Sequence, residues 1–112
     1  MLTFKGQEEG MQIKQRIYNG ILYVSLNGEL DEHTAKYTTA ALDSIFETPG
    51  FKQVIIDLSA LSFMDSTGVG VLIGRYKKLK QKGIGTFITN PSHHAEKIFK
   101  LTGLYEIMPK IS

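Results

Sequence analysis

The stretch of this chain that could do chemistry is Leu61-Ser-Phe-Met-Asp-Ser-Thr-Gly-Val-Gly-Val-Leu-Ile-Gly-Arg-Tyr76. It sets an acid, Asp65, and two hydroxyls, Ser66 and Thr67, ahead of a glycine-spaced apolar run. Ser66 falls at the first turn of an expected helix, and its hydroxyl reads in two ways. It can cap a free backbone N–H, which stabilises by about 1 kcal/mol. It can also be a modifiable hydroxyl, since phosphorylation would add about −1.5 to −2 charges there. The positive end of the helix tolerates an anion, so the fold should survive the modification. Asp65 would repel the new charge, and the effect would fall on whatever binds that surface.

Other chemistries fit poorly. The spacing Gly68-Val-Gly70-x-x-x-Gly74 lacks the Gly-Lys-Ser/Thr of a phosphate loop and is not the dinucleotide Gly-x-Gly-x-x-Gly. Gly70 and Gly74 lie one helical turn apart, beside Lys77, Lys78 and Gln81 and off the core stripe. Glycine inside a helix costs about 1 kcal/mol against alanine. Two on one lateral strip imply close approach by another backbone, from within the domain or from a partner. A serine-hydrolase elbow needs Gly-x-Ser-x-Gly, and Met64 stands two residues before Ser66. Asp65 reads as a loop acid rather than a catalyst, and Asp31 as a helix cap. His33 is isolated. His93-His94 are adjacent, so they lack the i, i+4 spacing that seats a metal on a helix. The residues point to a binding protein that is not an enzyme and needs no cofactor or metal.

The elements that must position Ser66 follow from pattern. Residues 13–18 and 21–27 flank Asn19-Gly20, a strong hairpin signal because both turn residues tolerate positive φ. Leu22, Val24 and Leu26 alternate with period two. Gly28-Glu-Leu-Asp31 closes the hairpin, and Asp31 caps a helix over 33–47 with Thr38, Ala41, Leu42 and Ile45 on one face; Pro49-Gly50 stops it. Residues 53–58 form a nearly continuous apolar run, expected as a strand covered on both faces. A loop with Phe63, Met64 and Asp65 leads to a helix ending near Gly83, with Val69, Leu72, Ile73, Tyr76 and Leu79 as its core stripe. Residues 86–89 form a strand. Asn90-Pro91-Ser92 opens a third helix with Ala95, Ile98, Phe99 and Leu101 inward and Gly103 as its stop. Residues 104–111 are expected to add a short strand. The alternation predicts an α/β fold: a mixed sheet that opens with an N-terminal hairpin, with helices packed against it.

Length and composition bound the rest. The chain has 112 residues, enough for one domain, with 42% apolar and 21% charged residues. There are no cysteines, so disulfides and thiol chemistry are excluded. The net charge of +2 comes from scattered Lys and Arg rather than a basic stripe, which argues against direct nucleic-acid binding. No apolar run reaches the ~20 residues of a membrane span, and residues 1–10 lack the apolar segment of a secretion signal. A cytoplasmic protein with no membrane contact is expected. Residues 1–10 read as an extension or tail, with Met11 as an alternative start, and residues 11–112 as the domain.

At these residues the chain resembles the STAS-domain anti-sigma factor antagonists. Met64-Asp-Ser-Thr-Gly-Val-Gly70 is similar to that family's phosphorylation-site signature. Gly28-Glu-Leu-Asp31, Asn90-Pro-Ser92 and Leu101-Thr-Gly-Leu104 match in the expected order, so the likeness runs from about 12 to 108. The runs Leu-Ser-Phe-Met-Asp-Ser and Gly-Arg-Tyr-Lys resemble the sporulation branch, whose members antagonise the anti-sigma F factor. The resemblance implies a STAS fold and a partner that is both an anti-sigma factor and a serine kinase. The unphosphorylated antagonist binds that partner and releases sigma; phosphorylation ends binding, and a PP2C-type phosphatase restores it. The phosphoacceptor would be Ser66. The partner-binding set would be Asp31, Asp65, Ser66, Thr67, Gly68, Gly70, Gly74 and Lys77. A variant of the same reading places the switch in general stress signalling or a stressosome. Thr67 stands where the sporulation branch often has serine, and the chain stops at Ser112 where relatives usually continue into a final helix.

Overall fold

The computed structural model describes residues 3–8 and 10–111. Strand β1 (Thr3–Glu8) runs antiparallel to β2 (Met11–Tyr18), so the segment read as an extension carries a strand. Asn19 and Gly20 both adopt positive φ, 51° and 75°, and turn β2 into β3 (Ile21–Leu30). This is the hairpin turn whose twist matches that of its strands. Strand β3 is longer than expected, because Gly28-Glu29-Leu30 continues it rather than closing it. Helix α1 (Ala35–Phe46) follows, then β4 (Gln53–Asp57), β5 (Leu61–Met64), α2 (Ser66–Gln81), β6 (Gly85–Thr89) and α3 (His93–Thr102).

The sheet order is β1-β2-β3-β4-β6, with β5 paired to β3. Strands β4, β5 and β6 all run parallel to their neighbours. The far edge of β3 is shared between two partners: β4 pairs with Ile21–Ser25, and β5 with the end from Gly28 to Leu30. Gly28 stands where the register of β5 against β3 shifts, and it also lies against the β1–β2 turn. Its φ is +130°, and a Cβ there would lie 2.1 Å from the Gly10 carbonyl oxygen. Only glycine tolerates both the conformation and the approach.

One core holds the layers together. Met11, Ile13, Leu22, Val24, Leu26, Val54, Ile56 and Ile88 line one sheet face. Leu42, Ile45 and Phe46 of α1, Val71, Leu72 and Leu79 of α2, and Ala95 and Phe99 of α3 meet them. Each large side chain buried this way stabilises by about 1.5–3 kcal/mol. Tyr23, Ile55 and Phe87 are only half-buried and lie outside that core. Strand β4 is therefore covered on one face, not on both.

The structure corrects several other expectations. Residues 61–64 form a strand, not a loop. Helix α1 begins at Ala35, and Asp31 caps the turn before it rather than the helix: its Oδ1 accepts from the backbone N–H of His33 (2.9 Å) and Thr34 (3.1 Å). In α2 the innermost residues include Gly68 and Val71, while Val69, Ile73 and Tyr76 pack at the core's margin. The cap of α3 is Ser92, whose Oγ accepts from Ala95 N–H at 3.1 Å; Asn90-Pro91 precede it without capping. Leu101 is 73% exposed instead of inward. Residues 104–106 are a 3-10 turn, and the expected last strand reduces to a single parallel bridge between Lys110 and Ile88. That segment is clasped to α3 by side chains: Tyr105 donates to Glu96, and Lys110 Nζ lies 3.1 Å from the same carboxylate.

Candidate functional site

The carboxyl ends of β3 and β5 lie side by side, with Leu30 in register with Met64. The two loops that leave them, 31–34 and 65, therefore meet at one end of the sheet. In parallel sheets this is where loops from separate strands can build a site. Asp65 ties them together. Its Oδ1 accepts from Gly68 N–H at 2.9 Å and caps α2, while its Oδ2 accepts from Glu32 N–H at 3.3 Å. The loop of residues 31–34 is braced from its own side as well, since Thr34 Oγ1 donates to the Glu29 carbonyl at 2.7 Å.

This arrangement removes the capping reading of Ser66. Asp65 is the N-cap of α2, and Ser66 is the first residue inside the helix. The helix does not draw on the Ser66 hydroxyl, which is exposed. The free N–H groups of the first turn and the dipole's positive end lie beside it. Thr67 is exposed too.

The glycines separate into two kinds. Gly68 is buried, and a Cβ there would lie 2.1 Å from the Leu30 carbonyl oxygen and 2.8 Å from Met64 Cγ. It seats α2 against β3 and serves the fold. Gly70 and Gly74 are the reverse case, for nothing lies within 4 Å of a Cβ built on either. Close packing inside the domain is therefore not why they are glycine. Ser66, Gly70, Gly74 and Lys77 follow one another at four-, four- and three-residue steps along one strip, roughly 16 Å long. Lys77 at its far end is exposed. Its neighbours Arg75 and Lys78 turn instead to Asp43 of α1, at 3.0 and 3.4 Å.

The structure thus brings Asp31, Asp65, Ser66 and Thr67 to one end of the sheet, and it runs Gly70, Gly74 and Lys77 away from them along α2. It adds residues that pattern did not single out. Glu29 and Glu32 are exposed on the same turn, and Phe63 is 41% exposed on β5 with His94 beside it. Among the described residues no group of three or more His, Asp or Glu side chains could hold a metal ion, and no helix is long and apolar enough to cross a membrane.

The model of the STAS domain matches residues 12–112. The chain belongs to the STAS domain family. The Anti-sigma F factor antagonist of Paenibacillus polymyxa is 34% identical over 99 residues, 88% of this chain and 85% of that protein. The Anti-sigma-B factor antagonist of Listeria monocytogenes is 33% identical, over 88% of this chain and 84% of that protein. The structure of the anti-sigma factor antagonist SpoIIAA in its unphosphorylated form superposes with a TM-score of 0.72 at 29% identity, covering 89% of this chain and 88% of that one. The phosphorylated form of SpoIIAA, the Bacillus cell fate determinant, superposes with a TM-score of 0.66 at 29% identity, covering 91% of each. The STAS fold expected from the sequence is the fold observed.

Proposed function

We propose that this STAS domain is a phosphorylation-controlled anti-sigma factor antagonist acting in the cytoplasm. Unphosphorylated, it binds an anti-sigma factor that is also a serine kinase, and so frees a sigma factor. Phosphorylation of Ser66 by that kinase ends binding, and a PP2C-type phosphatase restores it. The observation that carries this reading is the release of Ser66 from structural duty. Asp65 caps α2, and the serine hydroxyl is left exposed beside an anion-tolerant helix end. The phosphorylated and unphosphorylated forms of SpoIIAA, which share this fold, support it.

The switch works at the interface. A partner surface fitted to a neutral hydroxyl would have to desolvate a phosphate, and a buried, unpaired charge costs several kcal/mol. About 1.4 kcal/mol is tenfold in affinity, so a fraction of that cost suffices. The partner-binding surface in this reading comprises Asp31, Asp65, Ser66 and Thr67 with the strip of Gly70, Gly74 and Lys77; Gly68 contributes by seating the helix. Sporulation is the favoured setting. Relatives that antagonise anti-sigma-B factors, at nearly the same identity as the anti-sigma F antagonist, favour a general stress response or stressosome as the second.

The test is binding to the purified anti-sigma kinase with and without ATP. Ser66→Asp is expected to lose binding, and Ser66→Ala to bind and resist inactivation. Phosphopeptide mapping is expected to find the single phosphate on Ser66. A phosphate on Thr67, Ser59 or Ser62 would overturn the assignment.

A further inference from the structure

We propose that Phe63, backed by His94, is the apolar anchor through which the anti-sigma factor reads the state of Ser66. The inference rests on the binding surface proposed above and names the contact that gives it affinity.

A four-residue strand beside a packed core should turn a phenylalanine inward. Phe63 points outward because β5 slips against β3. Gly28 pairs with Leu61, but Glu29 pairs with Phe63, and Ser62 is left over as an extra residue. Its Oγ donates to the Gly28 carbonyl at 3.0 Å. A bulge of this kind reverses the face of every residue after it until the next irregularity. Leu61 and Met64 stay buried at the strand's ends, while Phe63 is 41% exposed.

The ring is held ready. The His94 imidazole lies 5.3 Å from it, centroid to centroid, with the planes tilted by 30°. His94 Nε2 sits 3.4 Å from the Met64 carbonyl oxygen. Ser92, the cap of the same helix, donates to the Leu61 carbonyl at 2.5 Å. The start of α3 is thus fastened to both ends of β5, with Phe63 between them. An aromatic group fixed in this way loses little freedom on binding, and such groups dominate interface energetics when water is excluded around them.

Charge identifies the occupant. The proposed surface and the turns beside it hold four carboxylates, Glu29, Asp31, Glu32 and Asp65, against one cation, Lys77 at the far end of the α2 strip, in a chain with 13 lysines and arginines and a net charge of +2. A second copy of this chain would set acid against acid. The complementary surface is an apolar hollow for Phe63 with a rim of Lys and Arg. The rim steers encounter and is screened by salt; the desolvated centre supplies affinity. A phosphate on Ser66, three residues along the chain and within about 11 Å of Phe63 by Cα spacing, holds water over that centre. On this account the rim's attraction for the phosphate does not rescue binding, because the anchor can no longer be stripped of water.

The experiment measures affinity for the purified cognate anti-sigma factor by calorimetry, using wild type, Phe63→Ala, Ser66→Asp, the double variant and Tyr18→Ala. Tyr18 is also exposed but ends β2 opposite Ile21, eight residues or about 26 Å along β3 from Glu29, the residue paired with Phe63. Phe63→Ala is expected to keep its fold by circular dichroism and to weaken binding at least about tenfold. Tyr18→Ala is expected to bind like wild type. Ser66→Asp is expected to cost less in the Phe63→Ala background than in wild type. A folded Phe63→Ala that binds like wild type would overturn the anchor and leave the Ser66 switch standing. Additive costs in the double variant would break the proposed link between anchor and phosphate. A Ser66→Asp protein that binds normally would overturn the switch, while a tenfold loss in Phe63→Ala would still support the anchor.

Discussion

Replacing Gly68 and Gly74 by alanine should shift stability in opposite directions, although the two lie on one helix six residues apart. At Gly68 the added Cβ would sit 2.1 Å from the Leu30 carbonyl oxygen. A carbon–oxygen contact needs about 3.3 Å, so α2 would have to withdraw from β3 by more than about 1 Å. The obstacle is backbone and cannot rotate aside. The helix cannot withdraw alone, because it carries Val71, Leu72 and Leu79 in the core. Its N-terminus also holds the 3.3 Å bond from Asp65 N–H to the Leu30 carbonyl. Overpacking costs about 1–3 kcal/mol, and a backbone obstacle places Gly68→Ala near the top, at about 3 kcal/mol. At roughly 4 °C per kcal/mol for a domain of this size, that lowers Tm by about 12 °C. Gly74→Ala meets open space and removes the helix-interior penalty of glycine, so it should stabilise by up to about 1 kcal/mol. Gly74→Leu should also stay folded, but it should weaken the anti-sigma factor complex if that strip is covered by the partner. Urea titration followed by circular dichroism measures the two alanine variants side by side. A Gly68→Ala protein as stable as wild type, or a Gly74→Ala protein destabilised as much as Gly68→Ala, would refute the assignment of one glycine to the fold and the other to the surface.

Two further outcomes follow from the hydrogen-bond pattern. Asp65→Ala removes the α2 cap and should cost about 1 kcal/mol in urea unfolding, whereas Asp65→Asn, which can still accept from Gly68 N–H, should cost clearly less. Equal losses in the two variants would mean the cap is not what Asp65 supplies. Glu96 accepts from Tyr105 and Lys110, which together lower its pKa from 4.5 to about 2. Its contribution to stability is therefore present above about pH 4.5 and is lost as pH falls toward 2. Partial burial and donation to Glu96 push the Tyr105 phenol above the usual tyrosine range, so its contribution is lost only on the alkaline side. Glu96→Gln should flatten the decline of Tm between about pH 4.5 and 2, and an unchanged slope would show that other carboxylates govern it.

The helices and the first hairpin were legible because their signals are local. Asn19-Gly20, the apolar stripes and the Gly103 stop each act within a few residues of themselves. What escaped depends on distant partners. Strand β5 is four residues long and becomes a strand only because β3 continues past Gly28 to receive it. Period-two reading fails there, since the bulge at Ser62 turns Phe63 outward. Leu101 fits a helical core stripe, but Ala95 and Phe99 are the α3 positions that reach the core, and Leu101 is left to solvent. The last segment contains Tyr105, Ile107 and Ile111, which suit a strand. Gly103, with a φ of 73°, turns it into a 3-10 helix, and the Glu96 clasp to Tyr105 and Lys110 lies just beyond. At the site, the type and place of Ser66 were readable, but its freedom was not. That freedom depends on which of two adjacent residues caps the helix, a matter settled by where Leu30 and Glu32 bring their backbone.

Asp65 and Ser66 divide two tasks that a serine cap would have combined. Had Ser66 been the N-cap, its Oγ would accept an N–H of the first turn, and a phosphate there would alter the helix start along with the surface. With the carboxylate holding Gly68 N–H on one side and Glu32 N–H on the other, both loops are fixed before Ser66 is considered. A phosphate one residue inside the helix then finds a rigid frame and a favourable dipole, and the frame need not respond. The change is left at the surface, where an exposed aromatic ring and four carboxylates already set what a partner must offer. This arrangement makes the proposed switch one of interface chemistry rather than refolding. Amide NMR of the free protein separates the two: shifts confined to residues 63–70 and the 31–34 turn fit a fixed frame, whereas shifts spread through β2, β4 and α1 would mean that the frame itself moves.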